Sequence, residues 1–327
     1  METQSNGSIV YDMHPCYKIY NVSYILISTP SAVCVLFYVF LGSLSVVTVC
    51  GNLLVIISII YFKQLHTPTN SLILSLAVAD LLVGVLVFPL TMTFSLSSCL
   101  FKENVFCKVR DSIDITLCTC SILNLCCISI DRYYAVCQPL TYRIKINHSA
   151  VVVMILVSWT VSVITGNRFT FAELDQGTCE TCSLNVVFAN IIWFIFAFYL
   201  PVIIMLCIYL KIFLAAQRQA RSIQSTTCQS TKSGATVTKM ERKATKTLAT
   251  VMGVFLVCWF PFFFCFTFLS YFISVPVPVT ETLNWFVLSN STLNPFIYAF
   301  FYSWFRSSVR MIISGKIFQG DFTNSKL

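Results

Sequence analysis

Apolar residues in this chain gather into long unbroken runs, and the polar residues collect between them. A helix needs about 20 mostly apolar residues to cross the hydrocarbon core of a bilayer. Seven runs qualify, at residues 31–62, 70–96, 105–136, 149–169, 186–213, 247–272 and 283–300. The connectors are short except for 217–246, which is rich in Ser, Thr, Gln and Lys and free of aromatics. That composition predicts a mobile third inner loop. The division expected is therefore a tail over 1–30, a membrane domain over 31–302, and a cytoplasmic helix and tail over 303–327. No internal repeat, such as many transporters carry, is evident.

Composition sharpens this pattern. Of 327 residues, 57% are hydrophobic and 10% are charged, whereas a soluble domain carries about 25% charged residues. The surface cannot be mostly wet, and a disordered chain is excluded. The net charge of +8 does not imply nucleic acid, because the basic residues flank apolar runs instead of forming a stripe with aromatics. The fold class expected is an all-α membrane protein, a seven-transmembrane helix bundle with a short amphipathic helix after the seventh span.

Charge also sets the orientation. One side holds Lys18, Lys102, Lys108, Arg110 and Arg168 against a surplus of acids (Glu2, Asp12, Glu103, Asp111, Asp114, Glu173, Asp175, Glu180 and Glu281). The other side holds all the remaining Lys and Arg against Asp131, Glu241 and Asp321. Basic loops stay in the cytoplasm, so the N-terminus is extracellular and the chain is a multi-pass protein of the plasma membrane, in contact with its lipids. Glycosylation sequons at Asn6 and Asn21 fall on the outer side; those at Asn147 and Asn290 fall where they should be silent. No cleaved signal peptide is visible. Of sixteen cysteines, most lie within spans; Cys16, Cys99, Cys107, Cys179 and Cys182 fall on the oxidising side, an odd number. Three histidines are too few for a metal site, and no nucleophile–base pair stands out, so an enzyme is not expected.

Ionisable residues inside a bilayer are costly and mark function. Asp80 lies midway along the second span, with Asn52 in the first and Asn290 and Asn294 in the seventh. Two readings stand: a centre for a cation or water, or interhelical hydrogen bonds. Asp114 lies about two turns into the third span, with Arg110 four residues before it and Cys118 four after. It is either the counter-ion of a ligand cation or the partner of Arg110. Trp259, Phe262, Phe263 and Phe266 on the sixth span, Trp285 on the seventh and Trp193 and Phe196 on the fifth suit the first reading, because aromatic faces attract an ammonium. Ile115 beside Asp114 completes the set. At the inner end of the third span, Asp131-Arg132-Tyr133 and Glu241 form either a latch between helices or an interfacial charge cluster.

These residues carry a resemblance. Gly51-Asn52, Leu76-Ala77-Val78-Ala79-Asp80, Asp131-Arg132-Tyr133, Trp159, Pro201 with Tyr209, Cys258-Trp259-Phe260-Pro261 and Asn294-Pro295-Phe296-Ile297-Tyr298 resemble rhodopsin-like G-protein-coupled receptors along residues 31–315. Three stretches, 130–137, 290–295 and 298–306, resemble trace amine-associated receptors in particular. The resemblance implies a small-amine ligand held by Asp114, and Trp259 as the residue beneath it. It implies Arg132 and Glu241 as an inner latch, and Tyr209, Tyr298, Asn294 and Pro295 as parts of the switch. Asp80, Asn52, Ser291 and Asn294 match a sodium-and-water site, sodium being the only cofactor expected. Cys107–Cys182 and Cys16–Cys179 are the disulfides implied. The partner implied is a heterotrimeric G protein, of the stimulatory kind, and the resemblance suggests an olfactory, chemosensory role.

Departures narrow the ligand. Leu288 stands where aminergic receptors have a tyrosine that holds the aspartate. Trp193 and Ala197 stand where catecholamine receptors have serines, so a catechol is disfavoured. No cysteine follows Cys265, so the usual palmitoyl anchor after the seventh helix is not expected. Asp111, one turn above Asp114, and Glu281, about two turns above the depth of Leu288 on the seventh helix, suit a second ammonium, which favours a di- or polyamine. An aromatic monoamine such as a phenethylamine is the alternative, and a cation transporter or channel is the alternative of another class.

Overall fold

In lipid, every backbone N–H and C=O must be satisfied within the protein, which leaves helices as the economical way to cross. The computed structural model describes residues 32–96, 105–174, 195–226, 232–268 and 277–315, and among them all regular structure is helical. The helices are α1 (Ala32–Tyr61), α2 (Pro68–Leu82), α3 (Phe88–Leu96), α4 (Val105–Cys137) and α5 (Pro139–Lys145). They continue as α6 (His148–Leu174), α7 (Leu200–Thr226), α8 (Lys232–Thr267), α9 (Val277–Phe301) and α10 (Ser303–Ile313). Thr67 caps α2 by accepting the Asn70 N–H, and Pro68 occupies its first turn, where no donor is needed.

The second span runs through α2 and α3, joined by a π-helical turn at Val83–Val87. Such a turn frees backbone carbonyls, and here the Ser45 hydroxyl of α1 donates to the Gly84 carbonyl at 2.8 Å. α1 comes so close that a Cβ on Gly84 would lie 2.9 Å from Val49. A second π turn, Ile195–Tyr199, leads into α7.

α4 is the central strut, packed against α2, α6 and α7, while α9 packs on α8 and closes the ring against α1. The second span is 61% buried and α6 only 22%, which puts α6 on the lipid side. Where α6 meets α4 there is no room for a side chain: a Cβ on Gly166 would collide with the Thr116 hydroxyl and fall 2.6 Å from the Ser112 carbonyl.

Among the described residues five helices are long and apolar enough to cross a membrane, and Leu200–Ala215 is a shorter apolar stretch. α9 makes the seventh span, but its run of Ser289, Asn290, Ser291, Thr292 and Asn294 dilutes its apolar character. One expectation changes shape. Most of 217–246 is helical, because α7 reaches Thr226 and α8 starts at Lys232. A polar stretch without proline is as compatible with a solvated helix as with a loop. After the seventh span, α10 buries Phe305 and Ser308 and exposes Arg306 and Arg310. Arg306 donates to the Ala299 and Phe300 carbonyls, both at 3.0 Å, and so fixes the corner between α9 and α10.

Candidate functional site

The third span decides between the two readings of Asp114. Arg110 turns to Asp111, donating its Nε at 2.9 Å as well as Nη2. Asp114 belongs to no salt bridge among the described residues. It accepts one hydrogen bond, from the Cys118 thiol at 3.2 Å. Asp111 is thus paired with its neighbour, and Asp114 is left without a salt-bridge partner among the described residues.

Two apolar clusters meet beneath this carboxylate. Leu117, three residues on, belongs to a cluster with Phe88, Trp285 and Leu288. Cys118, four residues on, packs against a cluster with Phe198, Phe255, Trp259 and Phe263. Positions three and four along a helix share a face with the first, so Asp114 sits above the junction. In the second cluster Phe255, Trp259 and Phe263 follow at intervals of four on α8, with centroids 6.0 and 5.9 Å apart. Phe198 lies face to face with Phe263 at 3.8 Å. Phe262 contacts Phe263 and Phe266 at 5.5 and 4.5 Å. The Trp259 indole N–H is buried without a hydrogen-bond partner.

The other expected members fall differently. Ile115 is half-buried on α4. Trp285 is turned against Phe88 at 5.7 Å, and Leu288 is buried in the same cluster. Phe196 is 63% exposed and continues the outward stripe of Leu200, Ile203 and Leu210, away from the aromatic column. Trp193, Cys16, Cys179, Cys182, Asn6 and Asn21 lie outside the described residues, as do the side chains of Cys107, Glu241 and Glu281. Phe198 and Phe88 are the aromatics that pattern reading missed. Asn147 of the inner sequon caps α6, its side chain accepting the Ala150 N–H at 2.8 Å.

Deeper in the bundle, Asp80 is fully buried. It accepts from Ser291 at 2.7 Å, from Ser121 at 3.2 Å and from the Asn294 amide at 2.7 Å. Asn52 donates to the Thr48 and Ser291 carbonyls at 2.9 and 3.2 Å, while its own Oδ1 is a buried acceptor with no donor. The Asn290 amide nitrogen is likewise without a partner. A carboxylate, two hydroxyls and an orphaned carbonyl oxygen are the hard donors that a sodium ion requires, so the residues fit one.

At the inner rim Asp131 gathers three elements. Arg132 pairs with it at 2.8 Å, Thr69 of α2 donates at 3.1 Å, and Tyr142 of α5 donates at 2.9 Å. Burial pushes the Tyr142 phenol up from its ordinary value, which keeps it a donor. The Arg132 Nε is buried without a partner. Tyr209 shares a hydrogen bond of 2.9 Å with Ser129, and Lys211 stands 5.8 Å over the Tyr133 ring. Tyr298 packs edge-on against Tyr302 and Phe305; Pro295 touches α1, where a Cβ on Gly51 would meet it at 2.9 Å.

Comparison with known families agrees with this layout. The profile of the 7 transmembrane receptor (rhodopsin family) matches residues 51–298. Trace amine-associated receptor 1 of Macaca mulatta is 44% identical over 334 residues, covering 95% of this chain and 97% of the relative. The chain belongs to the trace amine-associated receptor family. Among further relatives, trace amine-associated receptor 4 of Mus musculus is 42% identical over 314 residues (90% of this chain, 89% of the relative). Trace amine-associated receptor 9 of Homo sapiens is 41% identical over 332 residues (95% and 94%). As a trace amine-associated receptor it is a multi-pass plasma-membrane receptor and not an enzyme, and it takes a small-molecule ligand and couples to a G protein. The transporter alternative is not favoured.

Proposed function

We propose that this receptor detects a protonated small amine, with Asp114 as its counter-ion, in a chemosensory role and through a stimulatory G protein. The observation that carries the reading is the Asp114 carboxylate, which has no salt-bridge partner among the described residues and whose helix face carries Leu117 and Cys118 into two apolar clusters rich in aromatic rings. A charge in that position is expensive without a cation, and an ammonium between a carboxylate and ring faces satisfies both.

A di- or polyamine is the ligand proposed. Its second ammonium has Glu281 of α9 as partner, because Arg110 already neutralises Asp111. The aromatic monoamine is the second reading, favoured by the ring column of Trp259, Phe263 and Phe198. Asp80, with Ser121, Ser291 and the Asn52 carbonyl, would hold a sodium ion, which supplies charge compensation in the bundle centre.

Activation is a shift of population. The amine binds better to the conformation in which α8 has moved outward at its inner end, and so favours it. Pro261 inside α8 and Pro295 inside α9 each remove a helical hydrogen bond, giving the two halves a place to bend. A cyclic-AMP reporter dose–response with spermine, cadaverine and phenethylamine tests the reading. Asp114→Ala should abolish every response, and Glu281→Ala should weaken the diamines alone. Diamine responses untouched by Glu281→Ala would sink the second-carboxylate idea.

A further inference from the structure

Ser129 and Tyr209 join α4 to α7 towards the inner end of the bundle, their hydroxyl oxygens 2.9 Å apart. Ser129 is fully buried and donates its one proton to the Leu125 carbonyl of its own helix at 2.8 Å. A hydroxyl has a single proton, so between the two side chains the Tyr209 phenol donates and Ser129 Oγ accepts. Among the described residues Tyr209 makes no other hydrogen bond. It packs against the cluster of Leu125, Met205, Met252 and Phe255, whose apolar side chains offer no second acceptor. Arg132 follows Ser129 by three residues and so shares its face of α4. It is paired with Asp131 through Nη2, while its Nε is buried without an acceptor. In this latched arrangement Tyr209 spends its proton on Ser129, and its lone pairs stay unused one turn from a donor that lacks a partner.

We propose that Ser129 is a positioning residue of the switch: it holds the Tyr209 phenol against α4 in the latched conformation, and opening requires that bond to be given up. A contact made in one conformation alone biases the equilibrium towards it. Removing the Ser129 hydroxyl therefore weakens the latched state without touching the ligand site. Once released, the Tyr209 oxygen accepts from Arg132 as that guanidinium leaves Asp131, so the same phenol serves both ends of the transition. This rests on the population-shift reading above, but on neither the amine nor the class of G protein.

The test uses the full-length receptor in cells without added ligand, with reporters for each class of G protein and surface level measured by an antibody. Ser129→Ala should raise agonist-free signalling per surface receptor by about fivefold, the population shift that one neutral hydrogen bond supports. Ser129→Thr keeps a hydroxyl in place and should return signalling to within about twofold of wild type. Ser129→Cys, whose sulfur is a weak acceptor, should fall between them, and it stands in for alanine if that variant fails to reach the surface. In a Tyr209→Phe background there is no phenol to hold, so adding Ser129→Ala should change agonist-free signalling no further. A serine that only packs would lower surface level alike in both backgrounds and raise signalling in neither. Agonist-free signalling in Ser129→Ala no higher than wild type, or an equal rise in the Tyr209→Phe background, would overturn the proposal. If no amine activates the receptor but the Tyr209-dependent rise remains, the amine reading fails and the Ser129 hold stands. If Asp114→Ala abolishes amine responses while every Ser129 variant matches wild type, the hold fails and the amine reading stands.

Discussion

Phe198 and Phe263 lie nearly parallel, 6° apart in plane, and both are almost fully buried. Removing the first ring leaves a void between α7 and α8, costing about 3 kcal/mol in packing. Phe198→Ala should lower the melting temperature of the detergent-solubilised receptor by several degrees, while Phe196→Ala, on the exposed stripe, should barely move it. Similar shifts for the two would contradict the placement. This pair also shows what single residues disclose in advance. Asp80, Asp114 and Asp131 were legible because a carboxylate in an apolar run is rare and must have a purpose. Phe196 and Phe198 were not separable. Two residues apart, they fall on opposite sides of a helix, and nothing in the local pattern says which side faces inward. Thr69, Ser121 and Tyr142, the partners of the buried acids, were invisible because each comes from a distant element and is an ordinary polar residue by itself.

At the level of elements, the contact between α4 and α6 has the least slack. A valine at 166 collides with both the Thr116 hydroxyl and the Ser112 backbone, and a backbone cannot rotate away. Gly166→Val is therefore expected to cut surface expression severely, by flow cytometry. Adding Thr116→Ala should recover only part, because the Ser112 carbonyl remains at 2.6 Å. Full recovery would mean that the side chain alone sets the distance. Span positions were readable from length and apolarity, with limits close to those observed for α1 and α4, whereas α9 starts six residues before the expected 283. The helical course of α7 and α8 beyond the bilayer was not, since polarity cannot distinguish a wet helix from a wet loop. Nor were the π turns, whose extra residue leaves no compositional trace.

For the whole molecule, anything that binds the folded state alone raises its stability by mass action. If Asp80, Ser121, Ser291 and Asn52 hold sodium, replacing choline by sodium at constant ionic strength should raise the melting temperature of the wild type and leave Asp80→Asn unmoved. A sodium response that survives in Asp80→Asn would place the ion elsewhere. Ligand, ion and G protein then act on one equilibrium, and coupling between the two ends is reciprocal: a bound G protein should tighten amine binding. The inner rim gives that equilibrium its sharpness. Because Thr69, Arg132 and Tyr142 all draw on the same Asp131 carboxylate, the second helix, the third helix and the short α5 are knotted at a single point. Cancelling that one charge would untie all three together, so the receptor's cytoplasmic face is built to let go as a unit and not strand by strand.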